Sequence, residues 1–169
     1  MKKRRNVRFV FRCISFALII AISSSAAPIA ASAVSGGVVA IKTLPPGTLQ
    51  VEREVYILIN MEREKEGLPP LKWDSELAAV ARAHSRDMER KDYFSHTNLD
   101  GQSPSARMRT GNISFVYAGE NLARGHKTPE AVVEAWMKSE GHRDAILSGK
   151  ATHIGVGFEN YYWTVDMIG

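Results

Sequence analysis

Cysteine is nearly absent from this chain, since Cys13 is the single cysteine among 169 residues. One cysteine forms no internal disulfide, and Cys13 lies in an N-terminal segment that we expect to be removed from the mature protein. A disulfide framework, a thiolate metal site and a cysteine nucleophile are therefore excluded for the rest of the chain. The fold must depend on a hydrophobic core, which a domain of this size is large enough to build.

Long hydrophobic runs are also scarce, and the only one follows a basic start. The stretches "MKKRRNVRFVFRC" and "ISFALIIAISSSAAPIA" precede the small residues Ala31 to Ala33, a pattern typical of a secretory signal peptide over residues 1–33. The run is too short to favour a membrane-spanning helix. We therefore expect a protein that is secreted or held in the cell envelope, with no membrane span after cleavage. An uncleaved N-terminal anchor is the alternative.

The excess of positive charge belongs to the same segment. The whole chain has 22 Lys and Arg against 18 Asp and Glu, a formal charge of +4. Six of the basic residues and none of the acidic ones lie in residues 1–33, so the remaining chain carries −2. A basic pI that disappears with the signal peptide does not support nucleic-acid binding. We expect no nucleic-acid partner.

Short catalytic motifs are missing as well. The sequence contains no HExxH or HxH pattern for zinc and no GxSxG elbow for a serine hydrolase. Ser95 precedes His96, but neighbouring positions in a loop do not establish a contact between hydroxyl and imidazole. Paired carboxylates for glycoside cleavage, Glu120 with Glu140 or Glu134, stay open because a sequence does not give their separation.

The organisation of the chain indicates one domain after a short arm. Residues 34–50 contain Gly-Gly and Pro-Pro without a clear period, and we interpret them as a linker or N-terminal arm. The domain is expected over residues 51–169. Bacterial export fits a signal peptide followed by a chain without cystines.

Periodicity within that domain predicts an α+β fold. Apolar residues at helical spacing predict helices over 51–66, 75–92 and 129–140, the first ending at Gly67 and the last at Gly141. Strands are predicted at the start of "NISFVYAGENLA" and on both sides of the Glu159-Asn160 turn, whereas "LPPLKWD" is predicted as a turn. Because βαβ alternation is missing, we expect a mainly antiparallel sheet.

A carboxylate stands directly after an apolar run in "FVYAGENLARG", residues 115–125. Burying such a group without a partner is costly, so Glu120 should be paired, hydrogen-bonded, solvated or bound to a metal. His96 and His142 are predicted in loops or at helix ends, where scaffolds present functional groups, while His84 lies on an apolar helix stripe and is predicted as a core residue. Two imidazoles and a carboxylate suit zinc or another divalent ion, and equally a hydrogen-bonded cluster without metal.

Several stretches together resemble a known family. They are "LINMEREKEGLPPLKWDSELAAVARAHSRDM", "FSHTNLDGQSPSARM", "AGENLARG", "VVEAWMKSEGHRDAIL" and "HIGVGFENYYWTVDMIG", in that order. Residues 52–168 are similar to the CAP superfamily of cysteine-rich secretory proteins, antigen 5 and pathogenesis-related protein 1, in the cysteine-free form of exported bacterial proteins. The resemblance implies an α-β-α sandwich with a central, mainly antiparallel sheet between helical layers.

The resemblance also implies a cleft that presents two histidines and two acids. Matched motif by motif, these are His96, Glu120 and His142, while the fourth, acidic position falls on Ser139 with Glu140 beside it. We refer to these five residues as the predicted cleft cluster. His96, His142 and Glu120 are its candidate ligands for zinc or another divalent cation, and a set of three should bind such an ion weakly.

Members of the family are described as lipid or sterol binders, secreted effectors, metal-dependent proteins and peptidases. We expect a secreted binding or interaction module whose polar cleft accepts a divalent ion and an extracellular or cell-envelope ligand. One alternative is a hydrolase of extracellular peptides or envelope material, with Glu120 as general base. The other is a lipid- or sterol-binding protein with an apolar groove lined from 51–66 or 129–140.

Overall fold

The computed structural model describes residues 49–169. The predicted signal peptide and all but the last two residues of the predicted arm lie outside this range. The chain divides into two compact units, and the second, Val34–Gly169, contains every described residue. None of the helices in the described range combines the length and apolarity needed to cross a bilayer.

Five helices and four strands make up the described part. The helices are α1 (Gln50–Lys65), α2 (Ser75–Arg90), α3 (Pro104–Thr110), α4 (Pro129–Lys138) and α5 (Glu140–Ile146). The strands are β1 (Lys72–Trp73), β2 (Ala118–Arg124), β3 (His153–Glu159) and β4 (Tyr162–Ile168). They form one sheet in the order β1-β3-β4-β2, in which β1 is parallel to β3 and the other two pairings are antiparallel.

Helices cover both faces of this sheet, which confirms the predicted α-β-α sandwich. On one face, α1 and α4 pack over a core that includes Val55, Ile59, Trp136 and Val156. On the other face, α2 packs against β3 and β4. The side chain of a residue at position 157 would start 2.2 Å from the α2 backbone, so only glycine permits this close approach.

Helix boundaries follow local signals for α1 and α2. Gly67 has a φ of +69° and ends α1, where the N–H groups of Gly67 and Leu68 donate to carbonyls of the last turn at 3.0 and 2.9 Å. The Asp74 carboxylate caps α2 by accepting from the N–H groups of Glu76 and Leu77, both at 2.9 Å. The predicted helices over 51–66 and 75–92 are therefore confirmed within one or two residues.

Two local predictions about the strands are wrong. The "LPPLKWD" segment contains the short strand β1, because Lys72 and Trp73 pair with His153 and Ile154. Glu120 does not follow a strand: it lies inside β2, which begins only at Ala118 because its ladder with β4 runs from 118 to 124. Long-range pairing with β4 decides this boundary, and residue preferences along β2 do not report it.

The end of the α4 segment was also predicted wrongly. Gly141 does not stop this helix, because Ser139, in an extended conformation with φ −98° and ψ 119°, separates α4 from α5. Gly141 and His142 then belong to α5. His142 is consequently the third residue of α5, where we predicted a position in a loop or at a helix end.

Candidate functional site

Glu120 is the centre of the polar site. It lies on β2, one of the two edge strands of the sheet, and its side chain is only 2% exposed. Oε1 accepts a hydrogen bond of 2.8 Å from His96 Nδ1, and Oε2 accepts one from Nη2 of Arg107. Both oxygens of this buried carboxylate are therefore engaged by nitrogen donors, as a buried charge requires.

His96 is oriented by this contact. A carboxylate only accepts, so Nδ1 of His96 carries a proton and donates it to Glu120. The His96 side chain is 54% exposed, so the ring faces solvent while its inner nitrogen is held by Glu120. His84 supports the preceding segment, because its Nε2 donates to the Ser95 carbonyl at 3.0 Å. The predicted core position of His84 is confirmed, with 1% exposure.

Arg107 joins the site from α3 and was missed in the sequence analysis. Its Nη1 donates to the His96 and Gln102 carbonyls at 2.7 and 3.1 Å, and its Nη2 donates to Glu120. The side chain is 8% exposed. The need of Glu120 for a partner, which pointed to the histidines, could also have pointed to an arginine. A guanidinium is a common counter-ion of a buried carboxylate.

Asp166 is the second group that the sequence did not indicate. It pairs with Glu120 across the β2–β4 ladder and is 1% exposed. Burial and then the charge of Glu120 raise the pKa of Asp166 well above its usual value, against a smaller opposite effect of Arg107. Neither carboxyl oxygen accepts a hydrogen bond from the described residues. A protonated Asp166 that donates to Glu120 satisfies both acids. We call His96, Arg107, Glu120 and Asp166 the Glu120 cluster.

His142 reaches the same region from α5. Its backbone carbonyl accepts from Asn121 Nδ2 at 2.9 Å, which fixes α5 to β2. Burial and then the charge of His96 lower the pKa of His142, so its half-buried imidazole is neutral near pH 7. Ser139 lies at the break between α4 and α5, and Glu140 is an exposed residue that begins α5. In residues 49–169 neither makes a side-chain hydrogen bond to His96, Glu120 or His142, so the fourth cleft position stays a prediction.

The donor atoms of the cleft are not arranged around a metal position. Among the described residues, no group of three or more His, Cys, Asp or Glu side chains is placed to hold a metal ion. His96 Nδ1 is bound to Glu120, and both Glu120 oxygens have partners. The predicted zinc site therefore does not fit this arrangement, and no chemical step is derived through a metal.

Together these observations define a class: a helix-sheet-helix sandwich that carries a pre-oriented polar cluster at the free edge of its sheet. Residues 56–167 match the family model "CAP: Cysteine-rich secretory protein family". The chain belongs to this family, as the sequence resemblance predicted.

Related proteins include ones described as extracellular or as outer surface proteins. The chain is 48% identical to the uncharacterized Bacillus subtilis protein YkwD over 74% of its own length and 49% of YkwD. It is similar to the crystal structure of an extracellular SCP-domain protein of Bacillus anthracis, with TM-score 0.68, 36% identity and coverage of 69% and 39% of the two chains. For an outer surface protein of Borrelia burgdorferi the TM-score is 0.64, the identity 26% and the coverage 71% and 95%. The chain spans about half the length of YkwD.

Proposed function

We propose that this protein is an exported binding module whose cleft recognises an extracellular ligand through His96 and its neighbours. The observation that carries the proposal is the fixed His96 ring, which faces solvent while its inner nitrogen is held by a buried carboxylate. An imidazole held in this way has its Nε2 available for a hydrogen bond with a hydroxyl or amide group of a ligand. Glycan and peptide material of the cell envelope provides both groups.

Binding is favoured over hydrolysis by the state of the two candidate catalytic groups. Glu120 has 2% side-chain exposure and both of its oxygens are occupied, so it is poorly placed to take a proton from water. The Ser95 hydroxyl accepts from the Thr97 N–H at 3.1 Å, a local turn contact and not an activated nucleophile. Hydrolysis at this site is therefore the less favoured alternative.

The test uses residues 34–169, the compact unit that contains the described fold. Soluble peptidoglycan fragments are titrated into the protein by calorimetry, and the same samples are analysed by mass spectrometry for cleavage. We expect saturable binding without products, weakened at least tenfold in His96→Ala and unchanged in the control His126→Ala. No binding by the parent protein, or equal binding by His96→Ala, would contradict the proposal. Products that disappear with Glu120→Gln would replace it by the hydrolase.

A lipid-binding function has one observation in its favour. A cavity of about 430 Å³ lies between α1 and α4, with Leu58, Val133 and Met137 in its wall, the two segments from which the sequence analysis expected a groove. Four charged residues also line it, namely Glu62, Glu130, Glu134 and Lys138. Uptake of a fluorescent fatty acid or sterol that is lost in Leu58→Glu would support this second function, and no uptake by the parent would remove it.

Export is part of the proposal. Residues 1–33 act as the signal peptide, 34–50 as an arm and 51–169 as the CAP domain. N-terminal sequencing of protein recovered from the medium or envelope of an expressing bacterium should begin at Val34. An N-terminus at Met1 in the recovered protein would show an uncleaved anchor instead.

A further inference from the structure

We propose that Arg107 is the permanent cation of the Glu120 cluster and holds the electrostatic position that a divalent metal would otherwise take. The inference deepens the proposed function, because it rests on the same cleft and says what keeps His96 in place. It assigns Arg107 as a positioning residue that acts on His96 through Glu120.

The geometry places one guanidinium between two segments of the site, the loop before α3 and strand β2. Arg107 Nη1 holds the loop before α3 through the His96 and Gln102 carbonyls, at 2.7 and 3.1 Å. Nη2 of the same group donates to Glu120 on β2. Arg107 therefore binds the backbone of His96 and the carboxylate that orients the His96 ring. Loss of this side chain should release both.

The charges of the cluster balance without a metal. The Glu120 carboxylate carries one negative charge at a nearly fully buried position, and Arg107 carries one positive charge at 8% exposure. Arginine keeps its proton at any pH that the protein meets, whereas an exposed histidine does not. A divalent ion would meet a guanidinium already bound to its best ligand, and the two cations would repel each other.

The same geometry predicts what happens when Arg107 is removed. Glu120 would become a buried carboxylate without its cation, with His96 on Oε1 and His142 nearby on α5. A divalent ion that prefers imidazole and carboxylate ligands would then compensate the charge. The metal site that the sequence analysis predicted should appear in the variant and not in the parent protein.

The experiment is a calorimetric titration of zinc chloride into residues 34–169. Four proteins are compared: the parent, Arg107→Met, Arg107→Lys and, as a control two positions along α3, Arg109→Met at an exposed arginine. We expect no saturable zinc binding by the parent, Arg107→Lys or Arg109→Met. Arg107→Met should bind one zinc saturably, and a fifth protein that adds His96→Ala and His142→Ala to Arg107→Met should lose this binding.

Thermal unfolding with and without zinc covers the case in which Arg107→Met folds poorly. Zinc should raise the Tm of Arg107→Met and leave the Tm of the other three proteins unchanged. Saturable zinc binding by the parent that requires His96 and His142 would overturn the inference. So would an Arg107→Met variant that zinc neither binds nor stabilises. Failure of the peptidoglycan titration alone would remove the proposed ligand and leave the role of Arg107 intact.

Discussion

Replacing Asp166 by asparagine should remove a pH dependence of stability that originates inside the site. Asp166 is 1% exposed, and burial followed by the charge of Glu120 raises its pKa well above the ordinary value of 3.8. In the unfolded chain the same carboxyl is solvated and titrates near that ordinary value. Between the two pKa values the native state holds one more proton than the unfolded state.

The sign and size of the effect follow from this proton. A raised native pKa means that Asp166 favours folding at low pH and that this contribution is lost as the pH rises from about 4 towards the native pKa. One proton corresponds to about 1.4 kcal/mol per pH unit. The free energy of unfolding of the parent, minus that of Asp166→Asn, should therefore fall by about 1.4 kcal/mol for each pH unit in this window. Asparagine keeps the shape and offers an N–H to Glu120.

The assay is urea denaturation of both proteins at several pH values from 4 to 8. The charged neighbours that act on Asp166, Glu120 and Arg107, are the same in both proteins and cancel in the difference to first order. Asp144→Asn, at an exposed position on α5, is the control for loss of a surface carboxylate. A difference that stays flat across the whole range would show that Asp166 is ionised in the native state. The description of Asp166 as the proton donor to Glu120 would then be wrong.

Two further predictions concern the packing that supports the site. Gly157→Ala should destabilise the fold by about 2 kcal/mol or more in urea denaturation, because the new methyl lies 2.2 Å from the α2 backbone; Gly141→Ala, with nothing within 4 Å, should not. Glu52→Gln should cost about 3–5 kcal/mol, because Glu52 is fully buried and accepts two hydrogen bonds of 2.7 Å from Arg82. Glu134→Gln breaks the exposed ion pair with Lys138 and should leave the urea denaturation midpoint unchanged. If Gly157→Ala cost no more stability than Gly141→Ala, or Glu52→Gln no more than Glu134→Gln, the corresponding argument from burial would be refuted.

The regular parts of the fold were predictable because their signals are local. Val55 and Ile59 repeat at helical spacing, Gly67 ends the helix, and Thr128 with Pro129 begins another. The boundary at Gly141 failed because glycine is tolerated inside a helix at modest cost, and the break came from the extended backbone of Ser139. Such a break depends on how α4 and α5 pack, which periodicity does not report.

The site was predictable only in part for a similar reason. A buried carboxylate needs a partner, and this requirement made His96 a candidate partner of Glu120. The structure brings these two residues into contact at 2.8 Å. The same demand did not identify Arg107 or Asp166, which are 13 and 46 positions away in the chain and meet Glu120 through the placement of α3 and the β2–β4 ladder. A pairing of this kind is visible only once the tertiary arrangement is known.

The β2–β4 register connects the chemistry of the site to the packing of α2. Glu120 and Asp166 share a face because they are direct partners in the ladder, and Gly155 is the partner of Asp166 on the other side. A side chain on Gly155 would start 2.3 Å from the α2 backbone, so its absence lets α2 lie against the sheet. That close contact shields Asp166 from water and raises its pKa. A slip of β2 by one residue would turn Glu120 to the opposite face, away from Arg107 and Asp166. The charge balance of the cluster therefore depends on the register and on this close helix contact as much as on the four side chains themselves.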